Sequence, residues 1–545
     1  MNYKTTLSIL VTLLSLFAYS QDWKVYPYTP STTPASEIAF PVDEGRHTAD
    51  PVEWWYTSGS FTGDTSGNVY SFMLTYFYYP QSGFDGFRIL NVTDEATGEF
   101  FQDTQPVNYT LLSETNVNIQ TESSFFLPVV ESWKNKMNAG NPIAFEYELF
   151  ASSSAITLDV ELVTTKRPLI VGGDGFFDQG LDNYTYYYSQ TGNALTGDFT
   201  LNGTTETVSG NAWIDRQYGD FNPFTGEDYE WFSIQLSNGT DLNFWNVFNA
   251  ARQIPNNSNY VMLSAYVDEN ESTQYVTSDF EIERLEYFTT TDDAKSYSKK
   301  WRLTSASKNL DLVITANHTT TEVDISLIAF RFFEGSVSVS GTDNGVAVTG
   351  VGFAELLHDY FDPDVSMSSP SGGTYNPTSP ITWTLNNPDE GRPVTYDLEY
   401  SIDNQATFTP IATGLTVTSY TWDGSGLTTG DDVWFKVKAY SVDNTLNSEV
   451  ISTSASSATF SSQDLSKNLL RFYPNPVQDN MYITFSEVIN SGTYDIINLN
   501  GKSIFSQDFA STKNLEINTS SFASGLYFLS VRSNNTQELI KFIKQ

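Results

Sequence analysis

Hydrophobic residues in this chain recur with a period of two, and the runs end in Asn-Gly, Asp-Gly and Ser-Gly pairs. Such alternation places one set of side chains on each face of a strand, so it dictates strands and hairpins rather than helices. Residues 231–247 show the pattern. Phe232, Ile234 and Leu236 alternate with Trp231, Ser233 and Gln235. Asn238-Gly239 turns the chain, and Leu242, Phe244 and Asn246 follow, opposite Asn243, Trp245 and Val247. An Asn-Gly pair suits the positive φ of a tight hairpin turn. Large side chains on both faces are expected where one face packs a core and the other lines a cavity. The chain is expected to be all-β.

At 545 residues it exceeds a single hydrophobic core and divides into three or four domains, for which 39% apolar and 15% aromatic residues are ample. It contains no cysteine, which excludes a disulfide framework, a thiol nucleophile and a thiolate metal site. With only His47, His318 and His358 besides, no metal or cofactor is expected. A net charge of −38 repels nucleic acid and anionic lipid, so neither is an expected partner, and it solvates an extracellular protein well. Residues 1–20 read as a secretory signal. Lys4 supplies the positive flank, Leu7 to Phe17 the apolar run, and Ala18-Tyr19-Ser20 the small-x-small cleavage site. After cleavage no stretch is long and apolar enough for a membrane-spanning helix.

Composition shifts near Asp362, where Asp362-Pro363, Ser369-Pro370, Ser371-Gly372-Gly373 and Asn376-Pro377 mark a linker or entry strand. The segment 362–455, with Trp383, Leu398, Tyr400, Tyr420, Trp422 and alternating Phe435, Val437 and Ala439, resembles a fibronectin type III or immunoglobulin-like sandwich. A Ser-rich linker is expected at 456–470. Residues 471–545 carry Phe472-Tyr473-Pro474-Asn475-Pro476, then Asn498-Leu499-Asn500-Gly501-Lys502, then Gly525-Leu526-Tyr527-Phe528-Leu529, and a Lys near the end. In order and spacing these resemble the Por-type sorting domain of type IX secretion. The resemblance implies a C-terminal β-sandwich read by the outer-membrane secretion machinery, and a secreted or cell-surface protein.

Between these flanks, four segments stand out: Glu53-Trp54-Trp55-Tyr56; Tyr186-Tyr187-Tyr188-Ser189; Gly210-Asn211-Ala212-Trp213-Ile214-Asp215-Arg216-Gln217-Tyr218-Gly219 followed by Trp231 to Leu236; and Glu334-Gly335 with Gly350-Val351-Gly352-Phe353-Ala354-Glu355. In this order they resemble the carotenoid 1,2-hydratase (hydroxyneurosporene synthase) and AttH-like family. The resemblance implies two consecutive lipocalin-like β-barrels, placed here at 30–205 and 206–361, and chemistry on an alkene in an aromatic cleft. The chain departs from the family at Tyr218, where members often have Trp, and at Arg216, where they often have His. Export argues against an intracellular carotenoid role.

Hydrating an isolated double bond requires a proton donor, a place for a tertiary cation, and a controlled water. A carboxyl in an apolar pocket keeps its proton near neutral pH, and aromatic faces stabilise cations. The resemblance gives Asp215 the role of acid. Tyr187 and His47 are the other candidates for the proton chemistry, and Trp54, Trp55, Tyr56, Tyr188, Trp213 and Tyr218 are the candidates for holding an apolar small-molecule ligand. Each also has a plainer reading. The aromatics are equally at home in a core, His47 in a surface turn, and Asp215 in an ion pair with Arg216. Glu53 suits a buried pairing role, and Glu334 and Glu355 suit sealing strand ends. Three functions are consistent with these residues: a hydratase (hydro-lyase), isomerase or cyclase; a lipid- or pigment-binding tandem barrel; or a carbohydrate-active protein. The last requires two convergent carboxylates at glycosidase spacing.

Overall fold

The computed structural model describes residues 22–81, 83–122, 130–180, 183–220, 225–292, 294–326, 330–460, 470–533 and 536–545. The leader expected at 1–20 lies outside them. Apart from the short 3-10 turns Val42–Glu44 and Glu271–Thr273, every regular element among these residues is a strand.

A twelve-stranded sheet is built mainly from an antiparallel meander running from Val52–Gly63 to Ile156–Thr164. The long strand Asn183–Leu201 pairs with Ile156–Thr164 on one side and Thr204–Asp220 on the other, and Thr204–Asp220 pairs with Val52–Gly63. These pairings close the sheet into a barrel, which removes the exposed edges that an open sheet would offer. Strand Ile156–Thr164 shows the cause at residue level, since its buried positions 156, 158, 160, 162 and 164 alternate with more exposed ones. Phe61, Phe72, Leu74, Leu90, Leu149, Leu158 and Phe199 fill the interior. Thr204–Asp220 belongs wholly to this sheet and the next begins at Asp228, so the change of barrel falls after residue 220 rather than at the expected 205.

The second sheet has ten strands and curls around one core that includes Phe232, Ile234, Phe244, Trp301, Leu312, Phe333 and Leu356. The hairpin anticipated from Asn238-Gly239 is present. Trp231 faces Trp245 and Phe232 faces Phe244 across it, and Gly239 takes a φ of 95° that a side chain would strain. Its even-numbered apolar residues enter the barrel core. Trp231 and Trp245 project from the other face.

A separate compact unit comprises 365–384, 396–438 and 449–545. Tyr375, Trp422 and Phe435 pack together in its first part. Ser456–Ala458, at the start of the expected linker, is a strand paired with Thr374–Tyr375 and with Asp432–Val433, and 461–469 lie outside the described residues. The C-terminal five-stranded sheet has its own core, including Met481, Ile483, Ile496, Leu529 and Phe542.

Candidate functional site

Because neighbouring residues of a strand point to opposite faces, each aromatic motif divides between the interior of the first barrel and its outer wall. In Val52–Gly63, Trp55 turns inward, whereas Trp54 and Tyr56 face outward. In Thr204–Asp220, Ala212 and Ile214 turn inward, while Trp213 faces outward with Tyr56 and Tyr187. Tyr56, Asp215 and Ser189 lie directly opposite one another across three adjacent strands, as do Trp54, Gln217 and Tyr187. Trp231 and Trp245 of the second barrel pack into the same cluster.

A cavity of about 220 Å³ opens here, lined by Trp54, Tyr56, Phe77, Phe87, Phe177, Tyr187, Trp231, Trp245 and Phe332, with Asp215, Gln217, Glu227 and Glu355 among its polar residues. Asp215 is buried. It accepts hydrogen bonds from Ser189 Oγ at 2.5 Å, Trp213 Nε1 at 2.8 Å and Tyr187 Oη at 2.8 Å. Burial pushes its carboxyl up to about 7 against the opposing pull of these three donors, and nearby Glu355 adds to the rise. The donors are themselves oriented from the second barrel. Asn243 Nδ2 donates to Tyr187 Oη at 2.8 Å and to Ser189 Oγ at 3.0 Å, while Trp231 Nε1 lies 3.1 Å from Tyr187 Oη. The result is an acid that can hold its proton near neutrality, fixed in direction and facing an aromatic space.

The alternative pairing of Asp215 with Arg216 does not occur. One position along the strand, Arg216 bonds Glu53, which also takes Arg46. Burial opposes ionisation of Glu53, but Arg216, His47 and Arg46 together hold its carboxyl below the ordinary range. Glu53 is thus a buried partner of two guanidinium groups, as its plainer reading anticipated.

Three of the expected ligand residues are turned away from the cavity by strand parity. The Trp55 indole donates to the Glu44 carbonyl at 2.8 Å and carries the Arg216 guanidinium over its ring. Tyr188 packs on Phe40, and Tyr218 stacks between His47 and Tyr186. His47 itself sits with Nε2 2.9 Å from Asp43 Oδ1, apart from Asp215. Trp54, Tyr56 and Tyr187 line the cavity, and Trp213 supports Asp215 from beside it.

Other residues at the site escaped the sequence reading. Ser189 stands two residues from Tyr187 and therefore on the same face, a signal that strand parity offered. Asn243 is a buried polar residue between Leu242 and Phe244 in strand Asp241–Phe248. Glu334 and Glu355 do not seal strand ends; they face each other across adjacent strands. Glu334 accepts from Tyr56 Oη at 2.8 Å and Glu355 accepts from Tyr229 Oη.

Residues 31–360 match the family model described as AttH-like. The chain belongs to the AttH-like family. Its AttH-like region resembles a Nitrosomonas europaea protein assigned as an AttH, with 20% identity over 59% of this chain and 97% of that one and a TM-score of 0.48. It also resembles kievitone hydratase from Nectria haematococca, with 16% identity over 61% and 98% and a TM-score of 0.47. The corresponding values for CghA are 11%, 59%, 93% and 0.40. Among curated proteins none matches. Residues 471–545 match the secretion system C-terminal sorting domain. The AttH-like protein is therefore exported by type IX secretion to the cell surface or beyond. Among the described residues no helix is long and apolar enough to cross a membrane.

Proposed function

We propose that this secreted AttH-like protein acts on an apolar alkene, an isoprenoid or a related compound, by acid-catalysed hydration, isomerisation or cyclisation. The observation that carries the reading is Asp215, a buried carboxyl raised to about 7 and aimed by Ser189, Trp213 and Tyr187 in the wall of an aromatic cavity. Its proton passes to one alkene carbon and the positive charge falls on the other, where the faces of Trp54, Trp231 and Trp245 are available to it. In hydration, water forms the C–O bond and returns one of its protons to the Asp215 carboxylate. In isomerisation, the adjacent C–H supplies that proton. In cyclisation, a second double bond of the same molecule attacks the cation before the proton returns. Each route leaves the acid as it began. General acid catalysis of this kind contributes about 10²–10⁴ in rate.

The test incubates the mature chain and its Asp215→Asn variant with an apolar extract of the producing cells in ¹⁸O-labelled water, followed by mass spectrometry. Products carrying one labelled oxygen, or isomers formed only by the wild type, are expected. Identical profiles from the two proteins refute catalysis at Asp215. Retention of one apolar compound without turnover would instead leave the module a carrier.

A further inference from the structure

The wall of the cavity contributed by the second barrel presents one of two adjoining carboxyls, Glu355 with Glu334 behind it, for which the described residues supply no cation. Glu334 and Glu355 are direct cross-strand partners. Glu334 is buried at 2% exposure. One of its oxygens accepts from Tyr56 Oη, no N–H or hydroxyl group reaches the other, Oε2, and the carboxyl's further hydrogen bond is to Glu355. Glu355 lines the cavity and is held by Tyr229 Oη. Neither group is in an ion pair among the described residues, and no Lys, Arg or His lines the cavity. Burial raises both carboxyls, and their proximity allows only one to ionise readily. The two carboxyls hydrogen-bond one another, and a cation arriving in the cavity would favour release of a proton from the pair, placing negative charge beside the aromatic faces. A buried carboxylate without a partner is costly, so the pair keeps its protons until a cation enters and ionises in its presence.

We propose that the Glu334–Glu355 pair is a receptor for positive charge, facing the cationic centre that the substrate acquires in the cavity and accepting an ammonium group in its place. The inference rests on the acid-catalysis reading, because that reaction is what generates a cation there. It assigns to the second barrel a share in the chemistry that Asp215 begins from the first. Register supports the juxtaposition: Tyr56 lies opposite Asp215 in the first sheet, and its hydroxyl bonds Glu334. A fixed carboxyl pair that can release a proton supplies negative charge where positive charge develops. The same carboxyls disfavour anionic ligands, so fatty acids and prenyl phosphates are poor candidates for this cavity.

The experiment compares farnesylamine, farnesol and farnesoic acid, which share one apolar chain and differ in head group. Binding to the full mature protein is measured by calorimetry at high salt, which screens the surface charge. Quenching of tryptophan fluorescence serves as a check on the site. Farnesylamine is expected to bind at least about tenfold more tightly than farnesol, the lower end for a close buried charge pair, and farnesoic acid more weakly than both. With the comparison made in an Asp215→Asn background, so that the neighbouring acid carries no charge, Glu334→Gln/Glu355→Gln should abolish the preference for the amine while farnesol affinity persists. Glu355→Gln alone serves if the double variant does not fold. An amine that binds no better than the alcohol, or a preference that survives in the variants, overturns the receptor. Failure of both farnesol and farnesylamine to bind overturns it together with the apolar-site reading.

Discussion

Replacing Asp215 with Asn should make the protein more stable at alkaline pH while disabling it. The folded protein holds this carboxyl at about 7, against 3.8 for an ordinary Asp. That displacement corresponds to ~4 kcal/mol. The sign follows from proton binding. Below 3.8 the group is protonated in both states and contributes nothing. Between 3.8 and about 7 the unfolded chain releases its proton while the folded one retains it, so wild-type stability declines, and above about 7 the full loss is present. Asn cannot ionise and escapes this decline. It does lose part of the fit to Ser189, Trp213 and Tyr187, because its amide nitrogen meets a donor where a carboxyl oxygen accepted one. That mismatch costs about 1–2 kcal/mol at every pH. The variant should therefore melt slightly below wild type at pH 4 and above it at pH 8, the difference changing by about 5–10 °C across the range. Titrating groups remote from Asp215 are common to both proteins and cancel in the comparison, and Glu334, which Asp215 pushes up, loses part of its own rise in the variant and so acts in the same direction. Melting curves of the pair at pH 4, 6 and 8 test the reasoning. A difference that does not vary with pH means that Asp215 has the same pKa in both states, and with it falls the case for a stored proton.

Further outcomes follow from the same geometry. Ser189→Ala removes a donor that favours the ionised form of Asp215, so the pH at which activity declines should move upward; a downward or absent shift in the pH–rate profile contradicts the assignment. Glu53→Gln leaves Arg46 and Arg216 without their buried carboxylate and should destabilise the fold by about 3–5 kcal/mol, read by urea denaturation; a loss below 1 kcal/mol would show the pair to be dispensable. Removing 471–545 takes away the sorting domain with its own sheet and core, so the remainder should accumulate in the periplasm with unchanged melting, and undiminished release into the medium would count against its role as an address.

Much of the fold was legible because strand periodicity is local. The alternation in 231–247 specified both the hairpin and its two buried faces, and the motif around Asp215 lay within a single strand. Strand parity also divides the aromatic motifs between two faces. Trp54 and Tyr56 must face one way and Trp55 the other, and Asp215 and Tyr218, three apart on one strand, cannot share a face. Those separations were available from spacing alone. Which face turned inward was not, because both are apolar, and an apolar outer wall reads in sequence as core. Nor could spacing bring Glu355 toward Asp215, since their approach depends on the register of two sheets whose strands are distant along the chain. The apolar outer wall of the first barrel explains why a site exists there. Tyr56, Met73, Phe87, Ile89 and Trp213 on that wall would be exposed in an isolated barrel, and the second barrel covers them with Trp231, Trp245, Phe332 and Phe353. The two convex walls leave a gap between them, and the carboxyls lodged in it are removed from water by the same burial that stabilises the pairing. The raised acid and the cavity are thus two consequences of one packing event, and neither is expected to persist in either barrel alone.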